Sequence, residues 1–383
     1  MLTDSSLHIT RRQACRIFAV GAAAFAPITR LASAADGKPA KNGPALCEVP
    51  PPPINYQPRE GIFWDHWLHR ETNGKYHLYY LYEPPGVPEA DSRKAWRVGH
   101  ATSRDLVKWE ERKVALAPGK HWWVDRGIAT GSVIEFGGRY AMLVTGYSRA
   151  GRVGLALAWS DDLEKWTPVA DKPVLEPSGE WYETPEQMRT NPPECAGFCD
   201  PYLVRKPGDA AVYAVFNTRV REGAMYARGS FALARSSDMV RWKMLPPLFV
   251  PGFITRCETP QVFTRGGRWY ALASMWPKLM TEDFKRQHAD KRYNAAALVW
   301  TADKFEGPYR LAGDWALFPN AKCYICKVIE APNGGDAILT IRMTHKDGKM
   351  VAGLSPAYPV TFPDEGGIHV HYNKPLGSSR PSP

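Results

Sequence analysis

Three acidic residues stand in similar surroundings and could do chemistry together. Each lies in a short polar segment that runs into an apolar, strand-like stretch and then a glycine turn. The acid precedes the turn glycine by eight or nine residues in the pairs Asp65 with Gly74, Asp200 with Gly208 and Glu258 with Gly267. If these segments are equivalent parts of a repeat, the carboxylates meet, and like charges raise the pKa of at least one of them. A protonated acid beside an ionised one is what the cleavage of a glycosidic bond requires.

A second motif recurs along the chain and indicates that repeat. It is a serine or threonine followed by an acid at the end of a strand-like run, with an aromatic residue a few positions later. The copies are Ser103–Trp109, Ser160–Trp166, Ser237–Trp242 and a degenerate Thr301–Phe305. Each unit also contains a strand, a glycine turn and an aromatic-rich strand upstream of the motif. This pattern predicts a meander of about four antiparallel strands per ~60 residues.

The repeat predicts five units, which begin near Asp65, Ala129, Asp200, Glu258 and Cys326. A four-stranded sheet cannot bury both faces alone, so the units must pack against one another, and closing them into a ring protects their edges. The predicted fold class is therefore all-β, a single five-bladed β-propeller. A pair of β-sandwiches is the alternative, but it does not explain one motif in successive units.

The first strand of every blade in a propeller lines the central channel, so Asp65, Asp200 and Glu258 are expected to converge on the axis. By the same count from the turn glycine, blade 2 places Ala129 and blade 5 places Cys326 at this level. We therefore expect a pocket with three carboxylates, supplied by blades 1, 3 and 4.

The chain resembles the furanosidase propellers of glycoside hydrolase families 32, 43 and 68 over roughly residues 60–320. Asp65 in a Trp-rich first strand, an Asp-Pro at 200–201 and Glu258 opening the fourth blade carry the resemblance. It is closest to the family 32-like β-fructosidases, because a Thr-Gly-Ser stands at 130–132. The resemblance implies that Asp65 is the nucleophile, or the general base as in family 43. It also implies that Glu258 is the general acid/base and that Asp200 stabilises the transition state.

The chain departs from the family 32 pattern near all three acids. Trp-Asp-His-Trp at 64–67 replaces Asn-Asp-Pro-Asn, Cys199 replaces an Arg, and a cysteine precedes Glu258 where the family has one after it. The length also leaves no room for the C-terminal β-sandwich common in that family.

Further residues near the acids are candidates for sugar binding. Indole rings stack on sugar faces, and hydroxyl, imidazole and carboxylate groups hydrogen-bond to sugar hydroxyls. The candidates are Trp64, His66, Trp67, Trp122, Trp123, Asp125, Thr130 and Ser132.

Neither a cofactor nor a catalytic metal is expected. A structural calcium is the one exception, because some family 43 relatives hold calcium through an axial histidine, and His369 and His371 alternate correctly to share a face. A disulfide between Cys199 and Cys257 is conceivable. Cys323 and Cys326 look like a metal or redox pair, but an offset of three places them on opposite faces of a strand.

The net charge of +10 does not indicate nucleic-acid binding. The basic residues are scattered among acids, with neither a basic run nor a recognition module. The expected partner is instead a small carbohydrate or oligosaccharide.

The N-terminus has the pattern of an export signal over residues 1–34. Arg11-Arg12 precedes an apolar run and an Ala-Ser-Ala cleavage site at 32–34. The arginine pair resembles a twin-arginine signal, and a general secretory signal stays open. The run is too short to span a bilayer, so we expect a periplasmic or secreted protein that is free of the membrane after cleavage. A Pro-rich arm (35–58), the propeller (59–372) and a flexible tail (373–383) follow.

These observations predict an exported glycoside hydrolase that cleaves a furanoside-like bond, fructosyl or arabinosyl. Two alternatives stay open. In a non-catalytic carbohydrate-binding propeller, the acids would only accept hydrogen bonds from a sugar. A glycoside phosphorylase would need a basic phosphate site, to which only Arg126 and Arg256 could contribute.

Overall fold

The protein is described by a computed structural model that covers residues 51–88, 95–169, 171–191, 197–287, 297–313, 317–318, 323–346 and 349–378. The predicted export signal, the arm before residue 51 and the tail from residue 379 lie outside these residues. The described residues belong to one compact unit that begins at Glu48. No helix among them is long and apolar enough to cross a bilayer.

Five antiparallel sheets follow one another along the chain, which confirms the all-β, five-bladed propeller. Blade 1 consists of β1 (Ile62–Arg70), β2 (Tyr76–Glu83), β3 (Arg97–Ser103) and β4 (Glu110–Glu111). Blade 2 consists of β5 (Gly127–Phe136), β6 (Arg139–Tyr147), β7 (Val153–Ser160) and β8 (Thr167–Pro168). Blade 3 consists of β9 (Cys199–Val204), β10 (Val212–Arg219), β11 (Gly229–Ser236) and β12 (Trp242–Phe249).

The last two blades complete the ring. Blade 4 consists of β13 (Glu258–Arg265), β14 (Arg268–Ser274), β15 (Ala297–Ala302) and β16 (Arg310–Leu311). Blade 5 consists of β17 (Cys323–Glu330), β18 (Asp336–Lys346), β20 (Tyr358–Thr361) and β21 (His369–Val370), with β19 (Lys349–Leu354) paired to β18. Short helices stand between strands: α1 (Pro185–Thr190), α2 (Glu282–Gln287) and the 3-10 turns Met225–Ala227 and Pro277–Leu279.

The recurring Ser/Asp motif forms a tight turn after the third strand of a blade. In blade 2, Ser160 Oγ accepts the Leu163 N–H at 2.8 Å, and Asp162 Oδ1 accepts two further backbone N–H groups at 2.9 and 2.8 Å. These bonds hold Leu163 at φ +61°, a conformation unfavourable for a non-glycine residue, with its side chain fully buried. Leu106 and Met239 occupy the same place in blades 1 and 3 at φ +61° and +65°.

The first, inner strand of every blade contains a β-bulge, at which its pairing register with the second strand shifts. The bulged positions are 64–65, 129–130, 200–201, 259–260 and, in blade 5, Ile325. The bulges show that the three acids do not occupy equivalent positions, as the count from the turn glycines had suggested. Asp65 is the second residue of its bulge, and Asp200 is the first residue of its own. Glu258 directly precedes the bulge of its strand. The counterparts of Asp65 in blades 2 and 5 are therefore Thr130 and Ile325 rather than Ala129 and Cys326, because the hairpins differ in length.

The ring closes between blades 5 and 1 with help from the segment before the first blade. Asn55 N donates to the Leu354 carbonyl at 2.7 Å, and Leu354 N donates to the Tyr56 carbonyl at 2.8 Å, which attaches this segment to β19. The Tyr56 hydroxyl lies 3.1 Å from that of Tyr80 in blade 1. Leu376, within the predicted tail, donates its N–H to the Ala357 carbonyl at 2.9 Å.

Candidate active site

Asp65 is the centre of the acidic cluster. Its Oδ2 accepts a hydrogen bond of 2.9 Å from the Thr130 hydroxyl of the neighbouring blade. Burial, and then the nearby charges of Asp200 and Glu258, raise the pKa of Asp65 to about 7, against the lowering effects of Thr130 and Lys327. The three predicted acids therefore do meet, and burial, together with the charges of Asp200 and Glu258, lets Asp65 hold a proton up to about neutral pH.

Asp200 lies at a contact between two residues with strained backbone, Asp200 itself in blade 3 and Thr259 in blade 4. It is buried and has φ +60°, and its N–H donates to Thr145 Oγ1 at 2.9 Å. Its Oδ2 accepts the backbone N–H of Thr259 at 3.1 Å, and Thr259 itself has φ +46°. Non-glycine residues at such angles cost about 1–3 kcal/mol each, and in natural proteins they cluster at functional sites. The strain turns a backbone donor toward the carboxylate.

Glu258 forms an ion pair with Arg256. Arg256 Nη2 lies 2.8 Å from Glu258 Oε1, and both side chains are mostly buried. Burial opposes the charge of Arg256, but Glu258, Cys199 and Asp200 outweigh it and raise the pKa of the guanidinium. Arg256 thus fixes the orientation of the carboxylate that the resemblance identifies as the acid/base.

Two buried cysteines stand just before the other two acids, and both are free thiols. The conceivable disulfide between Cys199 and Cys257 is therefore wrong. Asn217 links the two segments instead, because its Nδ2 donates to Cys199 Sγ at 3.4 Å and its Oδ1 accepts the Cys257 N–H at 3.1 Å. This amide aligns the start of β9 with the start of β13.

Lys327 is a site residue that the sequence reasoning missed. It lies in β17 with 4% of its surface exposed, and its Nζ donates to the carbonyls of Thr259 at 2.7 Å and Pro260 at 3.1 Å. Burial lowers the pKa of Lys327 to about 8, while Asp200 and Asp65 oppose that shift. The available signal was a lysine inside an otherwise apolar strand, next to Cys326.

Some predicted sugar-binding residues lie where a substrate could reach them. Trp64 and Trp123 are partly exposed at the edge of the core between blades 1 and 2. Thr130, by contrast, is buried with 2% exposure and donates its hydroxyl to Asp65. Asp125 is partly exposed, and its Oδ1 accepts the Arg149 N–H at 2.7 Å, which ties two loops of blade 2 together.

Four other predicted contacts are corrected by burial. His66 and Trp67 are 0% and 1% exposed, and burial followed by Lys327 lowers the pKa of His66 to about 3. Trp67 packs on Tyr79 with ring centroids 6.0 Å apart. Trp122 belongs to the core between blades 1 and 2. Ser132 Oγ accepts the Leu203 N–H at 2.8 Å, so it joins blades 2 and 3. These side chains build the propeller.

Two further predictions concern the pair Cys323 and Cys326 and the pair His369 and His371. The bulge at Ile325 brings Cys323 and Cys326 into one buried cluster, so the expectation of opposite faces was wrong. The rings of His369 and His371 lie 5.1 Å apart, but among the described residues no group of three or more metal-ligating side chains occurs. The structural calcium stays a prediction.

Curated relatives and solved structures resemble parts or all of this chain. The bifunctional 6(G)-fructosyltransferase/2,1-fructan:2,1-fructan 1-fructosyltransferase of Allium cepa is 34% identical over 110 residues, 27% of this chain and 17% of that protein. Sucrose-6-phosphate hydrolase of Bacillus subtilis is 26% identical over 212 residues, 54% of this chain. The match spans only 36% of that relative's length.

The inulosucrase from Halalkalicoccus jeotgali, solved bound to kestose, shares the fold with a TM-score of 0.66 at 20% identity. The similarity covers 86% of this chain and 94% of that one. Residues 57–343 match the glycosyl hydrolases family 32 N-terminal domain. That match takes in the three acids and most of the propeller, and the chain therefore belongs to glycosyl hydrolase family 32.

Proposed function

We propose that this protein is an exported glycoside hydrolase that cleaves fructosyl bonds with Asp65, Asp200 and Glu258. The observation that carries the proposal is the meeting of three carboxyl groups from three blades, with Asp65 held by Thr130, Asp200 by the Thr259 amide and Glu258 by Arg256. Paired carboxyl groups with one shared proton are the machinery of glycoside hydrolysis. Relatives whose names include fructan and sucrose-6-phosphate favour a fructosyl bond over an arabinosyl one.

The proposed reaction has two steps. A carboxylate oxygen of Asp65 bonds to the anomeric carbon while the glycosidic C–O bond breaks, and Glu258 gives its proton to the leaving oxygen. Glu258 then takes a proton from water, which attacks the same carbon and releases Asp65. Asp200 accepts hydrogen bonds from sugar hydroxyls and supports the positive charge on the ring. The product keeps its anomeric configuration.

The acids must hold one proton between them for this reaction. With all three ionised, Glu258 has nothing to donate, and with two protons Asp65 is blocked. The pKa of Asp65, raised to about 7, leaves a proton in the cluster below neutral pH, and the active form is the one in which that proton is on Glu258.

Hydrolysis and plain binding are separated by one panel of sugars. Sucrose, sucrose 6-phosphate, kestose, inulin and aryl arabinofuranosides are tested for both turnover and binding. We expect release of fructose from at least one fructoside with retained configuration by NMR. Tight binding without turnover across the panel would instead support the carbohydrate-binding alternative. The phosphorylase alternative gains nothing from Arg256, because its guanidinium is held by Glu258.

Export is proposed from the N-terminal pattern alone. Expression of the full chain in a Gram-negative host, followed by N-terminal sequencing, should give a product that begins at Ala35. Replacing Arg11 and Arg12 by lysine should block processing if the signal is of the twin-arginine type. A product that keeps Met1 and remains in the cytoplasm would contradict export.

A further inference from the structure

Blade 5 supplies no carboxylate to the pocket but supplies Lys327. We propose that Lys327 is a positioning residue for this site: its ammonium group holds the bulge of β13 in the shape that presents the Thr259 amide to Asp200, and its charge offsets those of Asp65 and Asp200. The inference rests on the proposed function of the three acids, and it adds a residue from blade 5, one of the two blades that supply none of those acids.

The first part of the proposal, that Lys327 supports the bulge of β13, rests on the hydrogen bonds around that bulge. A bulge removes backbone groups from the ladder, and the carbonyls of Thr259 and Pro260 accept hydrogen bonds from Lys327 Nζ at 2.7 and 3.1 Å. Thr259 is held at φ +46° although it is β-branched, and its N–H thereby reaches Asp200 Oδ2 at 3.1 Å. Glu258 directly precedes Thr259 in the same strand. A single ammonium group therefore supports the backbone that orients two of the acids.

The second part of the proposal, that Lys327 offsets the charges of the acids, rests on the burial of its ammonium group. An ammonium group with 4% exposure is costly unless opposite charges surround it. Asp65 and Asp200 supply those charges, and Lys327 in turn favours the ionised form of Asp65. On its other side Lys327 lies over the ring of Tyr202 at 5.7 Å and borders a cavity of about 260 Å³ in the channel.

A positioning role and a purely structural role differ in their pH dependence. Loss of a nearby positive charge makes the acids hold their last proton more tightly. Lys327→Met should therefore move the basic limb of kcat/KM upward by about one pH unit. Displacement of Asp200 and Glu258 should also lower kcat by about tenfold or more, with a smaller change in KM. A purely structural lysine would lower stability and leave the shape of the pH profile unchanged.

Three variants separate charge from hydrogen bonding and general damage. Lys327→Gln keeps donors for the two carbonyls without the charge, so it should keep the pH shift and recover part of kcat. Lys327→Arg keeps the charge and should return the basic limb toward that of the wild type. Lys206→Met is the matched control, because Lys206 also lies over an aromatic ring and pairs with Glu306 on an outer surface. It should change neither kcat nor the profile.

A second readout does not depend on turnover. Thermal unfolding between pH 5 and 9 is measured for the wild type, Asp65→Asn, Lys327→Met and the double variant. The folded protein holds the Asp65 proton that the unfolded chain has lost, so the Asp65-dependent stability is lost as pH rises through about 7. In Lys327→Met the pKa of Asp65 should be higher, so this loss of stability should extend to higher pH. If Lys327→Met does not fold, Lys327→Gln replaces it in the cycle.

The two readouts distinguish the two proposals. If Lys327→Met and Lys327→Gln change neither the pH profile of kcat/KM nor the pH dependence of unfolding, the role of Lys327 is overturned, even if both variants are less stable and fructosides are hydrolysed. A shift in the unfolding cycle without turnover by the wild type would support the link between Lys327 and Asp65 and would overturn the proposed hydrolase.

Discussion

At the scale of single residues, the site is a set of carboxyl groups, two of which are held by donors from a neighbouring blade. Thr130 holds Asp65, the Thr259 amide holds Asp200, and Arg256 holds Glu258. Each acid therefore has a partner that differs in kind: a hydroxyl, a backbone amide and a guanidinium. These different partners give the three carboxyl groups different electrostatic environments, which the division of roles between nucleophile, stabiliser and acid requires.

The shared proton predicts how activity depends on pH. Since the pKa of Asp65 is raised to about 7, the set loses its last proton as pH rises through that value. We expect kcat/KM for a fructoside to fall about tenfold per pH unit above neutrality. Steady-state rates between pH 5 and 9, with thermal unfolding measured in parallel to exclude denaturation, test this. A rate that is constant from pH 6 to 9 would contradict the shared proton.

The candidate acids were predictable from the sequence, whereas half of their surroundings were not. Asp65, Asp200 and Glu258 stand beside turn and strand signals that repeat along the chain. His66 and Trp67 follow Asp65 directly, yet the bulge and the pleat turn them into the protein interior. The contacts of Lys327 join β17 to β13 over 67 and 68 residues of sequence, so no local pattern reports them.

At the scale of elements, two local features organise the blades: the inner-strand bulge of all five and the Ser/Asp turn of blades 1, 2 and 3. The Ser/Asp turn was visible as a motif because all its bonds lie within a few residues of sequence. The inner-strand bulge was not visible, since it depends on the register with the neighbouring strand. This is why counting residues from the turn glycines found three acids that meet in the structure but wrongly placed them at equivalent positions of their strands.

The turn of blade 2 offers a matched pair of aspartates. Asp162 accepts the N–H groups of Glu164 and Lys165, whereas its neighbour Asp161 makes an exposed ion pair with Arg139. We expect Asp162→Ala to lower the free energy of unfolding by about 1–3 kcal/mol. Asp161→Ala should cost at most about 1 kcal/mol. Urea titration of both variants checks this, and equal losses would contradict the role of the motif.

At the scale of the whole molecule, the cores lie mainly between adjacent blades. One cluster joins blades 1 and 2, another blades 2 and 3, a third blades 3, 4 and 5, and a fourth blades 5 and 1. Because each sheet buries its faces against its neighbours, the ring stabilises the channel in which the acids meet. The last of these clusters includes Tyr56 from the segment before the first blade.

Tyr56 predicts how much that segment contributes to closure. Its ring packs against Phe63 and Tyr80 with centroids 6.3 and 5.9 Å away, and it is 8% exposed. We expect Tyr56→Ala to lower the free energy of unfolding by about 3–5 kcal/mol. Tyr56→Phe, which removes only the hydroxyl contact with Tyr80, should cost about 1 kcal/mol. Chemical denaturation measures both, and a near-neutral Tyr56→Ala would show that the ring closes without this segment.

The central claim is that Asp65 and Glu258 break a fructosyl bond. It is tested most directly by the kcat of the wild type, Asp65→Asn and Glu258→Gln on the best fructoside of the panel, with unfolding curves to confirm that all three fold. We expect each substitution to lower kcat by about a thousandfold or more, because the nucleophile or the proton donor is lost. Turnover by either folded variant at the rate of the wild type would contradict the account.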